Sequence, residues 1–236
     1  MEGFGHSWLL LVEWSPPLLR GFLASLQIAA LGYSLGLMIG LTGAFSKLYG
    51  NPVVRDLAEV YTTLIRAIPE LVLLLLLYFA GPALINQLLT HFGRVPIDIS
   101  GFAAGVLVIG IVQGGYSTEV IRGAIQAIPS GQFEAARAIG LSRGQILRRV
   151  TLPGMLPYGL AGLSNLWLIA TKDTALLAVV GYTELTLATR QAAGATRSFF
   201  LFYSAAGFLY LLATFASWMV IRRLQARIDR GQERSA

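Results

Sequence analysis

Long runs of apolar residues without any charged side chain dominate the chain. Five of them are at least 18 residues long, and the charged residues are concentrated in the short segments between them. A helix needs about 20 mostly apolar residues to cross the hydrocarbon core of a bilayer. A helix on a soluble core would instead show polar residues at every turn. The runs cover 21–46, 71–90, 99–118, 154–171 and 198–221, and the fourth continues beyond Lys172 and Asp173 as far as Tyr182.

This pattern predicts an all-α integral membrane protein with five transmembrane helices in one domain, residues 1–236. The predicted spans are about 18–46, 57–90, 99–122, 154–182 and 198–223. The first span contains Gly32, Gly36 and Gly40, a spacing of small residues that lets a second helix approach closely. Close packing is the simpler interpretation of this spacing, and helices that slide against each other during a functional cycle are the alternative.

Composition supports a membrane protein and excludes several chemistries. Hydrophobic residues make up 55% of the 236 residues and charged residues 13%, against about 25% charged in soluble domains. The absence of cysteine excludes disulfides and thiol nucleophiles, and two histidines cannot build a multi-histidine metal site. No GxxxxGK[ST] pattern occurs, so the chain is not expected to hold ATP phosphates itself.

The positions of lysine and arginine predict the orientation in the membrane. Twelve of the 18 basic residues fall on the inner side if the N-terminus is outside, and four fall on the outer side. Because cytoplasmic segments carry the excess of Lys and Arg, the C-terminus is expected inside. The net charge of +6 therefore needs no nucleic acid to explain it. The first basic residue is Arg20, so the start of the chain does not resemble a cleaved signal.

The polar segment between the third and fourth runs predicts a helical hairpin. Ser130 is expected to cap a first short helix, and Gly140 to end it in the left-handed conformation. Ser142 and Gln145 form a capping box that begins a second helix, which Pro153 is expected to stop.

The same hairpin contains a recognisable motif. Its pattern is Glu-Ala-Ala, three residues, Gly, nine residues, Ile, one residue, Leu-Pro, which identifies the permease subunits of bacterial ABC importers. The matching residues are Glu134, Ala135, Ala136, Gly140, Val150, Leu152 and Pro153, with Val150 in place of Ile. The resemblance implies that residues 128–153 form a cytoplasmic coupling helix that docks on an ATPase subunit.

The resemblance covers most of the chain. The segments YTTLIRAIPELVLLLLLYF, GGYSTEVIRGAIQAIPSGQFEAAR and KDTALLAVVG are similar to the polar amino acid uptake family, and most similar to its Q-type permeases for histidine, lysine, arginine and ornithine or for opines. This likeness implies the type I ABC importer permease fold in the bacterial inner membrane. It also implies a second permease, favouring a different M-type chain, two ATPase subunits that bind ATP and Mg, and a periplasmic amino-acid-binding protein. No cofactor is expected in this chain.

Ionisable residues at membrane depth are the candidate substrate site, because buried charge in a membrane is costly. Glu119 and Asp173 are expected to face one cavity. Lys172 projects about 100° away from Asp173 on the helix and is expected to face a carboxylate of the substrate or of the protein. The resemblance places substrate contacts on the same two helices, which adds Gln113 and Tyr116. Two carboxylates and one lysine would complement a basic amino acid. The alternative is a salt bridge of Lys172 with Asp173 or Glu119 that only neutralises buried charge.

Arg66 and Glu70 lie just before the second apolar run and form an i,i+4 pair around Pro69, which is expected to kink or start that helix. A structural role is favoured for this pair over contact with a ligand.

Several functions remain open from the sequence. Histidine, arginine, lysine, ornithine or an opine could be the substrate, and glutamine or another polar amino acid is the alternative within the same family. An intramembrane enzyme that uses Glu119 and Asp173 as an acid pair, and a passive channel, are the alternatives from other classes. Neither alternative accounts for a capped hairpin with this motif.

Overall fold

The structure, a computed structural model, describes residues 2–233 and the side chains of residues 7–228. Residues 1 and 234–236, and with them the predicted inner Arg234, lie outside the described residues. All elements of the described part are helical: α1 Glu2–Tyr49, α2 Pro52–Ala67, α3 Glu70–His91, α4 Gly101–Gln126, α5 Ser130–Ala138, α6 Arg143–Ile146, α7 Leu152–Asp173, α8 Leu185–Thr196 and α9 Phe199–Glu233. A π-helical turn, Leu147–Thr151, joins α6 to α7, and a 3-10 turn, Thr174–Ala178, follows α7.

Four of these helices are long and apolar enough to cross a membrane within the described part. They contain Ser7–Tyr49, Glu70–His91, Gly101–Gln126 and Phe199–Ile228. The expected all-α membrane architecture is therefore present. The helix α7, predicted as the fourth span, has 22 residues but includes glycine, proline, serine and asparagine, which lower its hydropathy. By length and composition alone, it is not among the candidate spans.

Helix boundaries differ from the prediction in three places. Residues 57–90 form two helices, because Pro69 has no N–H and holds Ile68 in an extended conformation (φ −94°, ψ 136°) between α2 and α3. The helix α1 runs through Pro16 and Pro17 instead of starting near residue 18. The helix α8 was not predicted, because its 12 residues are too few for a span and carry no apolar run.

Glycines bring α1 and α4 into backbone contact. A Cβ on Gly32 would lie 2.8 Å from the Cβ of Ile109, and a Cβ on Gly36 would lie 2.8 Å from the Cβ of Gln113. Gly40 faces Ser117 in the same way. The residue numbers on both helices rise together, so α1 and α4 run parallel. The small-residue spacing of α1 is thus a close-packing interface.

The helix α7 packs on α4 in the opposite direction. Gly159 faces Ala124 and Gly162 faces Val120, so the numbers on the two helices run against each other. Two side-chain hydrogen bonds tie α7 to further helices: the Tyr33 hydroxyl donates to the Leu163 carbonyl at 2.7 Å, and Trp167 Nε1 donates to Ser217 Oγ at 2.9 Å. Such polar links matter because lipid supplies no hydrophobic driving force between helices.

A buried carboxylate, that of Glu184, connects three helices at one end of the bundle. Glu184 is fully buried and caps α8 by accepting from the Leu187 N–H at 2.9 Å. The same carboxylate accepts from the Ser25 hydroxyl of α1 at 3.1 Å and from the Tyr210 hydroxyl of α9 at 3.2 Å. A buried charge needs such a full set of donors. Glu184 therefore joins α1, α8 and α9 at one point.

The α1–α4 interface predicts a clear difference between two glycine substitutions. Gly36→Ala should lower the free energy of unfolding by about 1–3 kcal/mol, because the added methyl group meets Gln113 and the backbone of Gly114. Unfolding of the purified chain by denaturing detergent would measure this.

The matched control is Gly81→Ala, in α3, where no atom lies within 4 Å of the added Cβ. It should leave stability unchanged or raise it by up to about 1 kcal/mol, because Ala favours helix over Gly. Equal effects of the two substitutions would contradict the packing described above.

Candidate functional site

A polar site lies where α4 passes the end of α7 and the start of α3. Gln113 and Tyr116 are on α4, and Asp173 is the last residue of α7. Gln113 Nε2 donates to Asp173 Oδ2 at 3.1 Å. The structure therefore brings together three of the five predicted substrate-site residues.

Glu70 completes this site, although the sequence predicted only a structural role for it. The Tyr116 hydroxyl interacts with the Glu70 carboxylate, and the charges of Arg66 and Asp173 also act on Tyr116. The charge of Glu70 also acts on Asp173. The break at Pro69 starts α3 at Glu70. A charged residue next to a helix break in an apolar region was the signal available in the sequence.

Exposure separates the roles that these residues can have. Gln113 is fully buried, and its Oε1 has no partner among the described residues. Asp173, Tyr116 and Glu70 are half-buried, and Lys172 is exposed. Gln113 thus orients the Asp173 carboxylate from the buried side of the site, and the carboxylate itself remains partly accessible. Lys172 and Asp173 point apart, as expected for neighbouring helical residues.

Glu119 does not join this site, which corrects the expectation that it shares a cavity with Asp173. It pairs with the buried Lys47 of α1, and its Oε2 is 2.8 Å from Arg122 Nη2. Glu119 is six positions after Gln113, which places it about 9 Å farther along the helix and about 120° around it. The same separation removes the acid pair that an intramembrane enzyme would need.

Lys47 is the centre of this second network. Its Nζ lies 2.7 Å from Glu59 Oε2 and donates to Thr62 Oγ1 at 2.6 Å, both on α2. The ammonium group thus links α1, α2 and α4. Neither of the salt bridges considered from the sequence, which involved Lys172, is present among the described residues.

The helical hairpin forms largely as predicted. Gly140 has φ +77° and follows α5, and the capping box of Ser142 and Gln145 begins α6. Two details differ. Pro129, not Ser130, precedes the first helical residue, because the Pro129 carbonyl already accepts from the Gln132 N–H.

Pro153 does not stop the second helix, which is the other correction. The π-helical turn before it shifts the hydrogen bonds by one residue, so that the Leu152 N–H bonds to the Leu147 carbonyl. Pro153 then occupies the first turn of α7, where proline is tolerated. Residues 143–173 consequently form one continuous helical rod, with the hairpin at one end and Asp173 at the other.

The motif residues of the hairpin divide into an exposed and an anchored set. Glu134, Ala135, Gly140 and Pro153 are exposed, Leu152 is half-buried, and Ala136 is buried. Phe133 and Leu152 pack on a core cluster of α1, α4 and α7 that includes Ile128. The adjacent Ile139 is 76% exposed, so the tip of the hairpin presents apolar surface outward.

The hairpin lies at the same end of the bundle as the C-terminal part of α9. Gln132, Ala135 and Ile139 of the hairpin line one groove together with Ile228 of α9. The core cluster of Leu18, Leu185 and Phe202 occupies the opposite end. No group of three or more side chains that could hold a metal ion occurs among the described residues.

Comparison with known proteins assigns the family. Residues 32–234 match the family of binding-protein-dependent transport system inner membrane components, and the chain belongs to it. It is thus a transport subunit of the inner membrane and not an enzyme. Permeases of ABC importers work with a partner permease, ATPase subunits and a binding protein, and ATP is handled by the ATPases.

Relatives of known function place the chain among the amino acid and opine permeases. The chain is 37% identical to the octopine transport system permease protein OccQ of Agrobacterium tumefaciens (strain Ach5), over 99% of this chain and 97% of that protein. It is 38% identical to the histidine/lysine/arginine/ornithine transport system permease protein HisQ of Escherichia coli (strain K12), over 96% and 99%.

A solved structure shares the fold. The crystal structure of an amino acid ABC transporter with histidines superimposes with a TM-score of 0.77 at 29% identity, over 93% of this chain and 97% of that one. The type I permease fold implied by the hairpin motif is therefore present.

The Lys47 network predicts a loss of stability when its centre is removed. Lys47→Met should lower the free energy of unfolding by about 3 kcal/mol, because breaking a buried ion pair leaves an uncompensated charge. Unfolding in denaturing detergent would measure this, and Lys47→Met with Glu119→Gln should recover part of the loss.

Arg55→Gln is the matched control. Arg55 pairs with Asp56 at 3.7 Å, and both side chains are exposed, so the change should stay within about 0.5 kcal/mol. A Lys47→Met protein as stable as the Arg55→Gln protein would show that the buried pair contributes nothing.

Proposed function

We propose that this chain forms the translocation pathway for basic amino acids in an ABC importer, with Asp173 and Glu70 as the carboxylates that receive the substrate. The observation that carries this proposal is the position of Asp173. This half-buried carboxylate accepts from the buried Gln113 and is under the electrostatic influence of a second half-buried carboxylate, Glu70 of α3. Carboxylates that repel each other at membrane depth are costly and become favourable when a cation binds between them.

The chemistry of a basic amino acid fits this site. Its α-ammonium group and its cationic side chain supply two positive charges for Asp173 and Glu70. Arg66 and Lys172, both exposed near the site, supply positive charge for the α-carboxylate. Tyr116 lies beside Glu70 and offers a hydroxyl group. The relatives named for octopine and for histidine, lysine, arginine and ornithine support the same substrate class.

Five membrane crossings in a single domain are part of the proposal. Parallel packing of α1 and α4 and antiparallel packing of α4 and α7 support a crossing by α7, whose 22 residues span about 33 Å. A return by α9 brings Ile228 to the hairpin end. The excess of basic residues at that end favours a cytoplasmic hairpin and C-terminus and a periplasmic N-terminus.

The hairpin is the proposed contact with the ATPase. Its exposed face of Glu134, Ala135 and Ile139 matches the role of a coupling helix. ATP-driven closure of two ATPases would move the hairpin, and the continuous rod 143–173 would carry this movement to Asp173. A second permease, of the M-type, would complete the cavity, and a periplasmic binding protein would deliver the amino acid.

The role of Asp173 predicts a specific transport defect. Asp173→Asn should lower uptake of arginine or histidine at least about tenfold at limiting substrate, because a charge-assisted hydrogen bond is worth about 1.5–3 kcal/mol. Uptake of labelled amino acid into proteoliposomes with the binding protein and ATP would measure this.

Asp98→Asn, at an exposed position outside the site, is the matched control and should transport normally. Glu70→Gln separates two substrate classes: it should impair uptake of a cationic amino acid and leave uptake of glutamine unchanged. Normal uptake of basic amino acids by the Asp173→Asn protein would refute the proposed site.

The coupling role predicts that a charged substitution at the tip of the hairpin abolishes transport, whereas the same substitution elsewhere does not. Gly140→Asp should abolish ATP-driven uptake while the chain still inserts into the membrane, because the substitution places a charge and a strained left-handed residue at the hairpin tip. Uptake and substrate-stimulated ATP hydrolysis by the assembled transporter would measure this.

Gly93→Asp is the matched control. Gly93 has φ +68°, no atom lies within 4 Å of an added Cβ at either glycine, and Gly93 is at the opposite end of the bundle. It introduces the same charge and strain but should retain uptake. Wild-type uptake by the Gly140→Asp protein would refute the docking role.

A further inference from the structure

An aromatic and basic groove on α9 has no part in the substrate site or the hairpin. Phe215 and Trp218 stack with ring centroids 5.9 Å apart and planes at 26°. The Arg222 guanidinium lies 5.2 Å from the centroid of the Trp218 ring. Together with Met219, Arg223 and Arg227, these residues line a groove of about 580 Å³.

The groove lies at the boundary between apolar and charged surface. The apolar run 198–221 ends one residue before Arg222. Only 17% of the most apolar window of the span Phe199–Ile228 is buried within the chain, so most of this helix contacts no other part of the described chain. Aromatic rings and arginines at such a boundary reach the level of lipid head groups.

The three arginines of the groove, Arg222, Arg223 and Arg227, form no ion pair with any side chain in the described range 7–228. Membrane topology requires only that positive charge be present at this end. It does not require an arginine held over an indole ring beside apolar surface, and that arrangement is typical of a site for a ligand with an anionic head and an apolar body.

We propose that this groove binds one anionic phospholipid. Its phosphate would contact Arg222, Arg223 and Arg227, because one guanidinium group can donate two parallel hydrogen bonds to the oxygens of a phosphate. The start of its acyl chains would lie on Phe215, Trp218 and Met219. Zwitterionic lipid fits less well, because its ammonium group would meet the same three cations. This inference concerns the membrane surface of the permease and does not depend on the identity of its substrate.

Lipid retention by the intact transporter tests the proposal. Native mass spectrometry of the complete assembly, exchanged into phosphatidylglycerol or phosphatidylcholine with identical acyl chains, should show preferential retention of phosphatidylglycerol. Preference should fall roughly fivefold for each arginine removed, and therefore strongly in Arg222→Gln/Arg223→Gln/Arg227→Gln. Trp218→Leu keeps all three charges and should weaken retention about twofold to fivefold through loss of the cation–π contact.

A charge-matched variant serves as the control. Arg94→Gln/Arg190→Gln/Arg197→Gln removes the same net charge from exposed positions outside the groove and should retain lipid like wild type. Co-purification with the ATPase subunits checks the assembly of every variant. If the groove triple does not assemble, Trp218→Leu alone decides between the outcomes.

Three results would overturn the proposal. Equal retention of the two lipids by wild type would show that another subunit covers the groove or that it has no preference. Equal loss in the groove triple and the control triple would show a general effect of charge. Full displacement of the lipid by millimolar inorganic phosphate would show a site for a soluble anion.

Discussion

The contact between α1 and α4 is the constraint on which the rest of the structure depends. Gly32, Gly36 and Gly40 let the two backbones touch, and lipid offers no hydrophobic force that could replace this packing. Because α4 is held this closely, its side chains have fixed directions. Gln113 is turned toward α7, and Glu119 is turned toward the end of α1. A single helix thus carries two polar networks on different faces.

These two networks divide the work of the charged residues in the bundle. Lys47 and Arg122 both pair with Glu119, and Lys47 also pairs with Glu59, so that this network links α1, α2 and α4. Asp173 and Glu70 repel each other and keep accessible oxygens, with Gln113 as the only direct donor to Asp173 among the described side chains. A satisfied cluster stabilises the fold, whereas an unsatisfied pair of carboxylates is suited to a cationic substrate.

The rod of residues 143–173 gives the proposed mechanism a physical path. Its π-helical turn keeps the helix continuous through Pro153, so the last part of the coupling motif, Val150, Leu152 and Pro153, belongs to the same helix as Asp173. If the hairpin moves and carries residues 143–173 with it, Asp173 of α7 changes its position relative to Glu70 of α3. Under the proposed function, this relative movement alters how tightly the two carboxylates hold a cation.

The sequence by itself determined the all-helical membrane class, the capped hairpin with Gly140 at its turn, and the family, because apolar run length, capping residues and motif spacing are local properties. Only the tertiary structure decided which charges meet. Glu119 was expected beside Asp173 but lies with Lys47, and Glu70 was taken as structural but joins the site. Such pairings depend on how helices that are distant in the sequence are rotated and packed against each other. The residues of one apolar run do not determine the rotation of its helix about its own axis.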